Sequence, residues 1–133
     1  MAKARYREAN MVKWVGVRPG HNGTQIATYT EANNGTVVAY TVPANTVFLW
    51  TAYSCWFHNT SGAASTGYCL LYKPGPTAVY RILTERVANN ESGHSTQEFY
   101  FPIECEAAWY FQLVSGAANA RVQFSIHGFE IDA

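Results

Sequence analysis

Charge is what this chain has least of: Asp, Glu, Lys and Arg together make up 14% of its 133 residues, against about 25% in ordinary globular domains. A chain this poor in charge hides much of its surface, inside a core or in an assembly. Cysteine is sparse too. Cys55, Cys69 and Cys105 form no CxxC pair and are odd in number, which excludes a disulfide framework and reads as small buried apolar residues. The four histidines, His21, His58, His94 and His127, are scattered, with no HxH or HExxH spacing, so no metal site and no cofactor is expected. There is no GxSxG elbow, no phosphate-binding glycine loop and no cysteine with a nearby histidine in sequence, so the chain does not read as an enzyme. Glu104 and Glu106 stand two apart in PIECEAAW. Paired carboxylates serve as acid and base in some enzymes, but here they follow a proline and read as solvated turn charges.

Long apolar runs are also absent, which argues against membrane insertion. MAKARYREAN lacks the apolar core of a signal peptide. Sequons at Asn22, Asn34, Asn59 and Asn90 would matter only in a secretory pathway, and a cytoplasmic site of synthesis is the expectation. The net charge is zero, but it is unevenly laid out. Lys3, Arg5, Arg7, Lys13 and Arg18 crowd the first eighteen residues, opposed there only by Glu8. Such a segment is a solvated arm or a contact to an acidic protein surface, with nucleic acid the less expected partner. The chain divides into a basic N-terminal arm, 1–24, and a folded domain, 25–133.

What fills that domain is strand. No window has a helical period. Short apolar runs recur near 25–30, 36–42, 46–58, 67–73, 77–86, 96–103, 108–115 and 119–131, parted by Gly, Pro and Asn. NNG at 33–35 signals a tight turn, and KPGP at 73–76 breaks a strand. NTSGAASTG at 59–67 and ANNESGH at 88–94 read as longer polar loops. In the last strand Arg121, Gln123, Ser125 and His127 alternate with Val122, Phe124 and Ile126. The apolar parity then switches to Phe129 and Ile131, and a bulge at Gly128 would explain the switch. Eight strands at this spacing predict an all-β, eight-stranded antiparallel jelly-roll sandwich with an extended N-terminal arm.

TVFLWTAYSCWFHN, 46–59, does not fit a strand with one wet face. Val47, Leu49, Tyr53, Cys55 and Phe57 share one parity; Phe48, Trp50, Ala52 and Trp56 share the other. Burying a tryptophan ring of roughly 150–250 Å² is worth roughly 4–6 kcal/mol gross at about 25 cal/mol per Å². Leaving these rings in water would forgo a large share of a small domain's stabilisation. Three accounts remain open. A bulge between Trp50 and Trp56 makes the shared parity only apparent; a subunit interface covers Phe48, Trp50 and Trp56, with Trp14 of the arm joining it; or a glycan stacks on Trp50, Trp56 and Trp109.

TVPANTVFLWTAYSCWFHNTSG, GYCLLYKP and FYFPIECEAAWYFQLVSGAANARVQFSIHGFEI follow one another over about 36–131. In that order they resemble small jelly-roll structural proteins of tailed bacteriophages. There a VPA-x-T corner leads into a long strand, an FPI corner follows, and the last strand ends in a G-[FY]-E motif, here Gly128-Phe129-Glu130. The resemblance implies a non-enzymatic virion component, usually a homotrimer, that decorates a capsid or forms a spike or tail tip. Its partners would be copies of itself and the capsid or tail proteins of a virion assembled in the host cytoplasm. Lys3, Arg5, Arg7, Lys13 and Arg18 would then anchor the arm to the particle. The alternative is a lectin-like carbohydrate-binding module recognising a host-surface glycan.

Overall fold

The computed structural model describes residues 23–133. The arm residues Trp14, Lys3, Arg5, Arg7, Lys13 and Arg18 lie outside them. Eight strands follow one another: β1 Thr24–Asn33, β2 Gly35–Thr41, β3 Thr46–Asn59, β4 Ser65–Lys73, β5 Thr77–Val87, β6 Glu91–Cys105, β7 Tyr110–Ser115 and β8 Ala120–Asp132. They form two four-stranded sheets, ordered β1-β8-β3-β6 and β2-β7-β4-β5, with every pairing antiparallel. All but one of the connections cross from one sheet to the other, and only β4 and β5 are hydrogen-bonded sequence neighbours. This is the jelly-roll sandwich expected from the strand spacing.

The turns sit where the sequence puts residues that accept a left-handed backbone. Asn34 and Gly35 have φ of 67° and 113°, and Asn45, Asn90 and Asn119 have φ near 60°. Asparagine tolerates this region because its short polar side chain bonds locally. The NNG turn is not a hairpin. It carries the chain from β1 in one sheet to β2 in the other, with Asn34 N donating to Ser115 Oγ at 3.0 Å.

Between the sheets lies one core. Phe48, Trp50, Tyr53, Cys55, Phe57, Cys69, Leu71, Phe111, Leu113, Val122, Phe124 and Ile126 are all buried in it. All three cysteines are free and buried. Burial raises the Cys69 thiol pKa, with a hydrogen bond to Cys55 adding to it, and pushes Cys105 up to about 12. Cys69 and Cys105 are packing groups and poor nucleophiles at neutral pH.

The doubly apolar strand is resolved by a bulge. Pairing of β3 with both β6 and β8 skips one residue, Thr51, between Trp50 and Ala52. Before the bulge Phe48 and Trp50 point inward. After it Tyr53, Cys55, Phe57 and Asn59 do, so two opposite parities serve one core. Beside the bulge the Trp50 indole N–H donates to the Ala52 carbonyl at 3.1 Å. Trp50 is fully buried, with the rings of Phe99, Phe111, Tyr80 and Tyr53 at 4.7–5.3 Å. Val47 and Leu49, whose parity matched the sandwich filling, fall outside that core cluster.

The bulge expected in β8 at Gly128 is absent, and β8 keeps an unbroken register with β1 from Arg121 to Glu130. The irregularity lies across the ladder, in β3. Gly128 pairs with Trp50 and faces inward. A β-carbon there would lie 2.6 Å from the Phe48 ring and closer still to the Leu49 carbonyl, so only glycine fits. Phe129 and Ile131 therefore lie on the outer face.

The two proline segments also differ. Pro43 follows β2 and turns the chain into β3, as its corner motif implies. Pro102 lies within β6, where four residues, 99–102, stand against the single Thr51 of β3. The second corner comes later, at 106–109. It binds the first directly: Val42 N donates to the Trp109 carbonyl at 2.8 Å, and Ala108 N to the Val42 carbonyl at 2.9 Å.

Candidate functional site

The expected interface residues do not stay together. Phe48 and Trp50 are fully buried inside one chain, so neither has surface to offer a neighbour or a sugar. Trp109 is half-buried in the 106–109 corner and packs against the core. Trp56 alone of these is exposed, at 50%.

Trp56 stands on the outer face of the first sheet, where register lines up four side chains in one row: Glu31 of β1, Gln123 of β8, Trp56 of β3 and His94 of β6. The next row toward the β3 C-terminus holds Asn33, Arg121, His58 and Ser92. The row on the other side holds Tyr29, Ser125, Ser54 and Thr96. Apart from Trp56 and Tyr29 this part of the face is polar, and much of it is locked by side-chain bonds. Glu31 Oε2 accepts from the Tyr29 hydroxyl and from Gln123 Nε2, both at 3.0 Å. Arg121 Nε lies 3.9 Å from the other carboxylate oxygen. The Gln123 bond, then the Tyr29 bond, hold the Glu31 carboxyl below its ordinary pKa. The Trp56 indole stacks on the His94 imidazole, centroids 5.5 Å apart and planes 29° apart. His58 Nδ1 bonds Ser92 Oγ at 2.6 Å.

Further along the same face the bulges open a shallow depression of about 330 Å³. Thr51, Ala52, Glu98, Phe99, Tyr100, Pro102 and Phe129 line it. The 99–102 excursion throws Tyr100 and Phe101 outward, 85% and 52% exposed, their rings edge to face at 4.8 Å.

The second sheet presents a different surface. Its outer rows are Thr36, Val114, Tyr68 and Thr84; Val38, Gln112, Leu70 and Arg81; and Thr41, Tyr110, Tyr72 and Ala78. Tyr72 and Tyr110 stack with centroids 5.3 Å apart, and Val38 is half exposed. Its central strands, β7 and β4, carry no charge on this face between Thr66 and Tyr72 or between Tyr110 and Val114. Sequence reasoning missed this face, although the outward parity of TGYCLLY and YFQLV is legible as Tyr68, Leu70, Tyr72 and Tyr110, Gln112, Val114.

Among the described residues no three His, Cys, Asp or Glu side chains come close enough to hold a metal ion. Glu104 ends up on β6 and Glu106 in the following turn, both exposed. The Asn59 sequon is not an acceptor in the folded chain, because Asn59 is fully buried. Its Nδ2 donates to the carbonyls of Ala63 and Val87, both at 2.8 Å, and its Oδ1 accepts from Ser61 N and Oγ.

No family model and no curated relative matches the chain. Solved structures that it resembles include a Bacillus endospore appendage, one of a family of disulfide-linked pili. That pair is 13% identical, covers 82% of this chain and 87% of the other, and has a TM-score of 0.42. A chain of the infectious bursal disease virus particle is 6% identical, with 84% of this chain and 32% of that one covered and a TM-score of 0.39. The C-terminal family 22 carbohydrate-binding module of a Clostridium thermocellum protein is 16% identical, over 82% and 71%, with a TM-score of 0.36. The neighbours thus include a viral capsid protein, a pilus and a carbohydrate-binding module. The class defined by the strand order is the jelly-roll sandwich. Likeness at this level carries no argument for a role, which rests on the geometry of the two faces.

Proposed function

We propose that this protein is a non-enzymatic structural component of a virion, assembling as a homotrimer through the outer face of the β2-β7-β4-β5 sheet. The observation that carries the reading is the row structure of that face: Val38, Tyr68, Leu70, Tyr72, Tyr110 and Val114 lie on three adjacent paired strands, with Gln112 between Val38 and Leu70. A sheet face of this kind is stabilised by a second apolar surface, and aromatic residues with few charges are the usual composition of an interface centre. The occupant is another copy of the chain. The low overall charge supports the same reading. Phe48 and Trp50 drop out of the interface, and the second sheet takes their place. The basic segment with Lys3, Arg5, Arg7, Lys13 and Arg18 is the proposed contact to acidic capsid or tail proteins.

Light scattering on the purified protein tests the assembly. The expected mass is about three times the 14.8 kDa of one chain. A clean monomer at micromolar concentration would sink the proposal. Deleting residues 1–18 is expected to leave the trimer folded while abolishing attachment to particles.

A further inference from the structure

We infer that the row Glu31–Gln123–Trp56–His94 on the outer face of the first sheet is a binding site for a neutral glycan. In it a pyranose ring lies on the Trp56 indole and its hydroxyls meet Gln123, Glu31 and Arg121. The site differs from the tryptophan set expected from sequence, since Trp50 is buried and Trp109 packs in a corner.

The argument starts from Trp56 itself. A half-exposed indole on a polar sheet face forgoes the burial that stabilises the other rings of β3. It is nonetheless held in place. Its backbone is paired on both sides, to Gln123 and to His94, and its ring leans on the His94 imidazole. A ring fixed in this way gives stacking area at little cost in side-chain entropy.

Beside it, toward β8 and β1, stands an array of polar groups that is already ordered. The Glu31 carboxylate, fixed by Tyr29 and Gln123, stays ionised at neutral pH and keeps further acceptor sites. Gln123 has a second amide hydrogen and its carbonyl oxygen, and Arg121 offers guanidinium donors. Strands lie about 4.8 Å apart, so Gln123 is one strand and Glu31 two strands from the indole. This is the layout a pyranose requires: an apolar C–H face over an aromatic ring, and a rim of hydroxyls that both donate and accept.

Charge selects the sugar. The Glu31 carboxylate lies near Arg121, so the charges of the row offset each other, and the whole chain has a net charge of zero. A sialylated or uronic glycan would find no unopposed guanidinium there, whereas a neutral hexose or N-acetylhexosamine needs none. The inference does not rest on the virion reading or on trimerisation, because all the groups come from one chain.

The test is titration of the full chain, ¹⁵N-labelled at tryptophan indoles, with two sets of oligosaccharides. One set ends in glucose, galactose, mannose, N-acetylglucosamine or N-acetylgalactosamine; the other ends in sialic acid. The expected result is that at least one neutral oligosaccharide shifts the Trp56 indole N–H resonance saturably. Trp56→Ala should weaken that binding about tenfold or more, the scale of one lost aromatic contact. Glu31→Gln and Gln123→Ala should weaken it by smaller factors while thermal unfolding stays close to wild type. A silent neutral set overturns the inference. So does binding that survives Trp56→Ala, or a response to the sialylated set alone. Neither result touches the oligomeric mass on which the assembly reading stands.

Discussion

The two outer faces of the sandwich belong to sheets of equal size, yet they differ in kind. The face of β1-β8-β3-β6 carries Glu31, Arg121, Gln123, His58 and His94 around one exposed indole, and its polar groups bond one another. The face of β2-β7-β4-β5 carries Tyr68, Leu70, Tyr72, Tyr110 and Val114 on its central strands, and two of these rings stack on each other. The first surface sets polar side chains that bond one another beside the exposed rings of Trp56 and Tyr29, whereas the second is the one proposed above to meet another copy of the chain. On the two proposals above, assembly would use one sheet and recognition the other.

The largest expected effect tests the core that keeps the two faces apart. Trp50→Ala removes a fully buried ring and leaves the Ala52 carbonyl of the bulge without its indole donor. A cost of about 3–5 kcal/mol is expected from the cavity. Trp56→Ala, six residues along the same strand, removes a ring that is only half buried and is expected to cost less, about 1 kcal/mol. Denaturant unfolding of the two variants measures the contrast. Equal losses would mean that Trp56 is a core residue and that the polar face is no platform.

Next comes the contrast between the faces. Leu70→Glu sets a carboxylate on the proposed interface, between Gln112 and Arg81 in its row, and is expected to weaken self-association at least about 100-fold, roughly 2.7 kcal/mol. Ser54→Glu, on the polar face, is expected to leave the oligomeric mass unchanged. Sedimentation velocity across a dilution series reads both. Dissociation by Ser54→Glu with an intact Leu70→Glu oligomer would exchange the roles of the two sheets.

A smaller effect belongs to the tie between the sheets. Tyr40 of β2 donates its hydroxyl to Glu130 Oε1 of β8 across the open end of the sandwich. Burial, and then that bond, raise the Tyr40 pKa above its ordinary value. Tyr40→Phe leaves an inward-facing carboxylate without this donor and is expected to cost about 1–2 kcal/mol. The oligomeric mass should be unchanged, because the tie lies between the two faces. Thermal unfolding beside the oligomer mass checks this.

Much of this architecture was legible in the residues. Alternation and turn chemistry placed all eight strands, because an apolar period of two and Asn or Gly at left-handed turns are local signals. β6 was set five residues late, since ESGHS at a sheet edge is polar on both parities and looks like a loop. The parity conflict in TVFLWTAYSCWFHN revealed a bulge, but a switch of apolar parity at Phe129 drew a second one to Gly128. The pairing shows a single Thr51 bulge in β3 opposite an inward glycine. Alternation in β8 did set Arg121 and Gln123 on a polar parity. Their meeting with Trp56 and Glu31 could not be read, because Glu31 and Gln123 are 92 residues apart and are joined only by sheet register.

The smallest effect concerns Glu31, and its sign follows from the bonds that order the polar face. Hydrogen bonds from Gln123 and then Tyr29 favour the ionised carboxylate, so its folded-state pKa lies below the unfolded one. A group depressed in this way contributes stability that is fully present above the unfolded value and is lost as pH falls through the folded one. The contribution is small, since the side chain is 29% exposed and solvent screens it. Gln123→Ala removes the larger cause. The Glu31 carboxyl should then titrate at higher pH, and the variant should lose less stability than wild type when acidified through the carboxylate range. Carboxyl ¹³C titration by NMR follows Glu31 directly. A Glu31 midpoint unmoved by Gln123→Ala would show that the row is not ordered by its own side chains, and the contrast between the two faces would then rest on composition alone.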